Sequence, residues 1–360
     1  MSARACTRSA RRLRHSFQLH TVAPQSASPV PHPSVAGPPP PPPTPDVAQP
    51  EDRVARKRKQ AELLQRGLSL RPNPAKPATA LQKRFWKAVS IKETPDGHQI
   101  FLDSRPVRTA SKNVLTLPLN KSQLAAAIAL EWDLLVTAQQ ALKHHYIPLT
   151  SFTSRAVDIT NADLQGNQTV REDIVTMVMR YLDTDTLLCW APEQNRHTGK
   201  AEQREEGSES LRSMQERTAQ PIIAYLTTTV WPGAEIQPSL SEDSILPTPQ
   251  PQVTMDIIRG WISGLQPFDL AGLERAVLAT KSLLVASRLL VEWSHNFQHL
   301  RDQKPDAPRF GIEQAAEAAS IEVRWQTGMW GEVEDTHDVE KEDMKRQLGS
   351  VILMVHGDAR

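Results

Sequence analysis

The sequence predicts an α+β chain: a small β-rich N-terminal domain, then a larger all-α helical domain, behind a disordered N-terminal leader. Three observations carry this. Short apolar runs at strand period, parted by turn residues, fill Lys83 to Leu117. Beyond Asn120 the apolar spacing changes to that of a helix. Ahead of Lys83 the chain is dense in proline and arginine, with too little apolar surface to build a core.

The leader is read first. Of 360 residues 39% are hydrophobic and 23% charged, as in globular proteins, yet the 29 prolines crowd toward the start, with Pro38 to Pro43 unbroken. Residues 1–45 hold Arg4, Arg8, Arg11, Arg12 and Arg14, no lysine and no acid, and are rich in serine, threonine and alanine. That pattern reads as a mitochondrial transit peptide, the alternative being a disordered basic tail. No apolar core follows the basic start, which argues against a secretory signal. Residues 46–82 read as a disordered linker, and its basic run Arg53 to Lys59, set between proline-rich stretches, reads as solvated charge.

Without the five leader arginines, 37 basic side chains face 41 acidic ones, a net of −4. A weakly acidic body argues against nucleic acid as the partner. The cysteines are Cys6 and Cys189, so a chain lacking its leader has no internal disulfide, which fits a reducing interior. The best apolar run, Leu283 to Val291, is short and contains Arg288, so no membrane insertion is expected.

Within residues 83–150, Phe85, Val89 and Ile91 alternate as a first strand, and Pro95-Asp96-Gly97 signals a turn. Ile100 to Leu102, Pro106 to Thr109 and Val114 to Leu117 complete a four-strand meander too small to stand alone. Leu124, Ile128, Trp132, Leu135 and Val136 then mark a helix capped by Asn120 or Ser122 and stopped by Pro148. The stripe implies that Trp132 is buried.

Residues 151–360 read as helices throughout. Thr169-Val-Arg-Glu172 fits a capping box ahead of the stripe Ile174, Val175, Val178, Leu182. Ser213 to Val230 and Val253 to Ile262 follow, separated by a polar loop at Glu193 to Ser210 and a proline-rich one at Pro238 to Pro251. Asp269 caps an apolar segment reaching Trp293, whose all-round hydrophobicity predicts a central buried helix or helix pair. Ile312 to Trp330 and Val339 to Val355 end the set.

Candidates for chemistry are few. Asp183-Thr-Asp185-Thr could be a catalytic carboxylate pair, but it follows a helix, whereas a phosphate-attacking aspartate pair sits at the end of a buried strand. It reads as a turn whose side chains bond backbone groups. His295 and His299 share a helical face, but a zinc-protease motif needs glutamate where Asn296 stands. Phosphate-loop, dinucleotide and nucleophile-elbow motifs are missing, so neither a nucleotide nor another cofactor is expected. Trp325 and Trp330 lie near Glu322, and a helix sets Glu322, Trp325 and Met329 along one side. Such a surface suits recognition of another protein; the alternative is that both tryptophans are core.

Together, Arg84-Phe-Trp-Lys-Ala-Val-Ser-Ile91, Ala129-Leu-Glu-Trp-Asp133, Ile147-Pro-Leu-Thr150, Tyr181-Leu-Asp-Thr-Asp-Thr186 and Trp330-Gly331 resemble the ATP-twelve chaperones, also called ATP synthase mitochondrial assembly factor two. The resemblance runs from about Lys83 to Leu353. It implies a β-rich domain followed by a helical one, and a non-enzymatic mitochondrial matrix chaperone. Its partner would be the free alpha subunit of the ATP synthase catalytic sector, held until the beta subunit replaces it. A matrix enzyme and a general helical scaffold are the competing classes. By the same resemblance Glu322, with Trp325, Trp330 and Gly331, is expected to bind the partner. Glu131, Trp132 and Asp133, with Asp183 and Asp185, are expected to be structural. The sequence departs from its relatives at Asp335-Thr336 and in the Glu193 to Ser210 insertion.

Overall fold

The computed structural model describes residues 83–192, 209–239, 247–303, 308–333 and 336–358. The transit peptide, the linker, Asp335 and nearly all of the Glu193 to Ser210 loop lie outside the described residues, as does the middle of the second proline-rich loop.

The fold is α+β, a small antiparallel sheet followed by helices. Strands β1 (Val89–Thr94) and β2 (Gly97–Leu102) form a hairpin with Ile91 opposite Ile100 and Thr94 opposite Gly97. β3 (Arg105–Pro106) and β4 (Thr116–Leu117) both pair with β2. Gly97 turns with φ +139°, and a Cβ there would lie 2.0 Å from the Leu117 carbonyl oxygen, so glycine is what lets β4 close on the hairpin.

The strand expected to start at Phe85 starts at Val89, and the anchor is the neighbour: Trp86 is buried while Phe85 and Ile91 are exposed. Trp86 donates its indole N–H to the Trp132 carbonyl at 3.3 Å.

Helix α1 (Ser122–Leu134) sets Leu124 and Ile128 into the core under the sheet. It ends at Leu134, and Pro148 does not stop it; Pro148 opens α2 (Pro148–Leu164) at a first-turn position, where the missing N–H costs nothing. Neither Asn120 nor Ser122 caps α1. The cap comes from the far end of the chain, where the Asp358 carboxylate accepts the Ser122 N–H at 2.8 Å.

The chain continues as α3 (Thr169–Asp183), α4 (Leu211–Tyr225), α5 (Gln252–Ser263), α6 (Pro267–Thr280) and α7 (Leu283–Trp293). α4 runs on as a π-helical turn, Leu226–Val230. The short α8 (Gln298–Arg301) leads to α9 (Ile312–Ala319), α10 (Ile321–Trp330) and α11 (His337–Val355).

The apolar segment before Trp293 is a buried helix pair, broken where Lys281 turns left-handed at φ 57°. α6 packs on α2, α7 and α11 and forms the centre of the helical layer. Two expected caps differ. α3 has no capping box, because Thr169 is already helical and Asn167 accepts its N–H. Asp269 lies inside the first turn of α6, buried, and accepts a bond from Asn296 Nδ2 at 2.7 Å.

The ends of α1 and α11 hold each other. Lys121 is buried and donates Nζ to the carbonyls of Met354 at 2.8 Å and His356 at 3.0 Å, while Asp358 caps α1. Each partner satisfies backbone groups that a helix end leaves open. Burial draws the Lys121 ammonium down to about 8, with Asp269 and Asp358 opposing that fall. No described helix is long and apolar enough to cross a membrane.

Candidate functional site

Three of the sequence motifs converge on helix ends. Glu131, half-buried near the end of α1, turns its carboxylate onto the open start of α2. Oε1 accepts the Leu149 N–H at 2.7 Å, and Oε2 accepts the Thr150 N–H and hydroxyl, both at 2.9 Å. Burial raises the Glu131 pKa against the pull of those bonds. Trp132 donates its indole N–H to Thr150 Oγ1 at 3.0 Å and meets Trp86 edge-on at 5.5 Å. It is half-buried rather than buried, because the end of α1 lies at the rim of the core. Asp133 is exposed and pairs with Arg84 at 3.3 Å.

The Asp183-Thr-Asp185-Thr stretch is a turn after α3. Asp185 is fully buried; its carboxylate accepts the Leu187 N–H at 2.9 Å and, across the core, the Leu284 N–H at 3.0 Å in the first turn of α7. Ser282 caps the same helix, accepting the Val285 N–H at 3.0 Å. Burial pushes the Asp185 carboxyl up to about 6 in spite of these donors. Asp183 ends α3, and its Oδ1 is buried without a partner among the described residues. The two carboxylates therefore do not form a joint site.

His295 and His299 also part company. His295 sits in a 3₁₀ turn with its ring between the Val355 carbonyl and Asn120, each at 3.3 Å, while His299 belongs to α8. Among the described residues no group of three or more His, Cys, Asp or Glu could hold a metal ion.

Helix α10 is different in kind. Its single buried residue is Ile321. Glu322 is exposed, and its carboxylate accepts one bond, from Gln326 Nε2 at 3.1 Å. Trp325 is half-buried, and its ring meets that of Trp330 edge-on at 6.3 Å. Trp330 and Met329 are each 60% exposed, and Val323 on the same helix, Val333 after it and Val339 in α11 are exposed as well. The helix stops at Gly331, whose φ of +87° is a conformation that side chains with a Cβ rarely adopt. The two tryptophans are thus not core. Val323, Met329 and Trp330 are three large apolar side chains exposed along one helix, a candidate contact surface.

Sequence reasoning placed Glu322, Trp325, Met329 and Trp330 on one element but missed the valines. Val323 and Val339 are apolar residues that fit no buried stripe, and that misfit was the available signal. Cys189, in the turn after Asp185, has its thiol pushed up by burial first and then by the charges of Asp185 and Glu322. Arg324 and Ile321 of α10 border a cleft of about 560 Å³ against α4, floored by Ile222 and Phe310.

Comparison with known proteins identifies relatives of the chain. The family model described as ATP12 chaperone protein matches residues 83–227. The chain is 30% identical over 272 residues to the Schizosaccharomyces pombe protein named atp12, mitochondrial, covering 76% of this chain and 81% of the relative. It is 30% identical over 292 residues to the Saccharomyces cerevisiae protein of the same name, covering 74% and 81%. The crystal structure of Atp12 from Paracoccus denitrificans superposes with a TM-score of 0.53 at 22% identity, covering 75% of this chain and 96% of that one, a likeness of fold.

Proposed function

We propose a function for this chain from one premise: it belongs to the ATP12 chaperone family. It is an assembly chaperone of the mitochondrial ATP synthase and works in the matrix. Its client is the unassembled alpha subunit of the catalytic sector, whose subunit-facing surface it covers until the beta subunit takes its place. The observation that supports this reading is the exposed apolar side chains of α10, Val323, Met329 and Trp330, on the helix that carries Glu322.

The mechanism needs no reaction. An unassembled subunit exposes apolar surface meant for a neighbour, and such surface aggregates. A face with a few aromatic anchors and a charged rim shields it, because a few well-packed anchors carry most of the binding energy of an interface. Glu322 meets a basic group of the client and sets orientation, as a rim charge does. Binding of this kind yields to the true partner by competition.

The test is co-expression of the full chain with the alpha subunit. The reading requires that the alpha subunit become soluble with the chain and not without it, and that added beta subunit displace the chain. Equal rescue of an unrelated aggregating protein would point to a general scaffold instead.

A further inference from the structure

A second cleft lies away from α10, between the segment entering α2 and the facing sides of α6 and α11. Its volume is about 780 Å³. Lys143, Arg275 and Arg346 line it, with Asp343 the one carboxylate among its lining residues. Asp343 is already engaged: Arg346 donates to its Oδ1 at 2.5 Å, and Gln347 donates to its Oδ2. Arg346 is engaged as well, since its other nitrogen bonds the His145 carbonyl at 3.0 Å.

Arg275 is the exception. Its guanidinium lies over the Phe152 ring at 4.7 Å, and its Nε is buried with no hydrogen-bond partner among the described residues. The acid next to it in sequence, Glu274, is held by Arg155 through two bonds of 3.1 Å. Burial draws the Arg275 pKa down, as it does for a cation lacking acceptors. The Nε is enclosed and out of a ligand's reach, but the terminal nitrogens of the guanidinium have no hydrogen-bond partner among the described residues either. The planar guanidinium fork matches two carboxylate oxygens, and stacking on an aromatic ring fixes its plane.

We propose that this cleft is a binding site for a carboxylate, with Arg275 as its primary donor and Lys143 at the rim. The carboxylate comes either from an acidic side chain of a bound peptide segment or from a free small dicarboxylate. The site does not depend on Glu322.

Calorimetric titration of the full chain tests it with four probes: succinate, succinamide, a hexapeptide alternating Glu and Leu, and its Gln counterpart. At least one carboxylate probe should bind saturably and its amide should not. Succinate binding would identify a free dicarboxylate as sufficient; peptide binding alone would identify a protein segment. Arg275→Gln should weaken the carboxylate by about tenfold or more, the usual worth of a charge-assisted bond, with melting unchanged or raised. Lys143→Glu, on an exposed residue, should weaken it several-fold, and Glu322→Lys should leave it unchanged. The proposal is overturned if neither carboxylate binds the wild type, if the amides bind as well, or if Arg275→Gln and Lys143→Glu both bind as the wild type does.

Discussion

Two of the chain's glutamate–tryptophan pairs behave in opposite ways. Glu131 and Trp132 sit where α1 meets α2, with three donors on the carboxylate and the indole N–H bonded. Glu322 and Trp325 sit on α10, where the carboxylate has one exposed bond and apolar surface lies open beside it. The first pair is consumed by the fold; the second is left over from it. Residue type alone therefore decides nothing. What decides is whether the backbone nearby has open groups that the side chain must satisfy.

The largest expected effect of breaking this contrast is at Glu131. Glu131→Ala leaves two backbone N–H groups and a hydroxyl unpaired at the start of α2, and should cost about 3 kcal/mol. Denaturant unfolding measures it. A loss below about 0.5 kcal/mol, the range of ordinary surface substitutions, would remove Glu131 from the structural side. Trp132→Ala follows. It deletes the edge contact with Trp86 and the bond to Thr150, but from a half-buried position, so about 2 kcal/mol is expected, less than for a fully buried tryptophan. Trp132→Arg should lower melting at least as much. An unaltered melt with lost client solubility would move Trp132 to the binding surface.

Asp185 sharpens the contrast through pH. Its folded-state pKa of about 6 lies above the ordinary 3.8, so the native state holds the proton more tightly than the unfolded chain. The stabilisation this gives is full below 3.8 and is lost as pH rises toward about 6. Wild type minus Asp185→Asn stability should therefore fall across that window, by on the order of 3 kcal/mol. A flat difference would mean that Asp185 does not titrate as its burial requires. On α10, Trp330→Ala should change stability by less than about 0.5 kcal/mol, as expected of an exposed residue, while reducing the amount of alpha subunit kept soluble.

How much of this was legible follows from range. Helical stripes such as Ile174, Val175, Val178 and Leu182 are local, and they fold as read. So does the buried pair before Trp293, although the break at Lys281 gives no composition signal. Pro148 was misread because proline is compatible with a helix start as well as a stop, and only the chain before it decides which. The first strand slipped because Trp86 outweighs the alternation of Phe85 and Ile91 once its indole finds the Trp132 carbonyl.

Caps were the least legible. Asp358 reaches Ser122 across 236 positions and Asp185 reaches Leu284 across 99, and no local pattern encodes such pairings. Of the α10 face, the tryptophans and Glu322 were legible as residues, and their exposure was not. Exposure depends on which neighbours a helix lacks.

The central claim is that Glu322 belongs to the surface left over by the fold and serves the client. Glu322→Lys tests it most directly, by pairing thermal melting of the variant with the fraction of alpha subunit it keeps soluble. Melting should be unchanged, because the carboxylate holds up no backbone group, and solubility should fall several-fold as attraction becomes repulsion. Melting that collapses, or an alpha subunit that stays as soluble as with the wild type, would contradict the account.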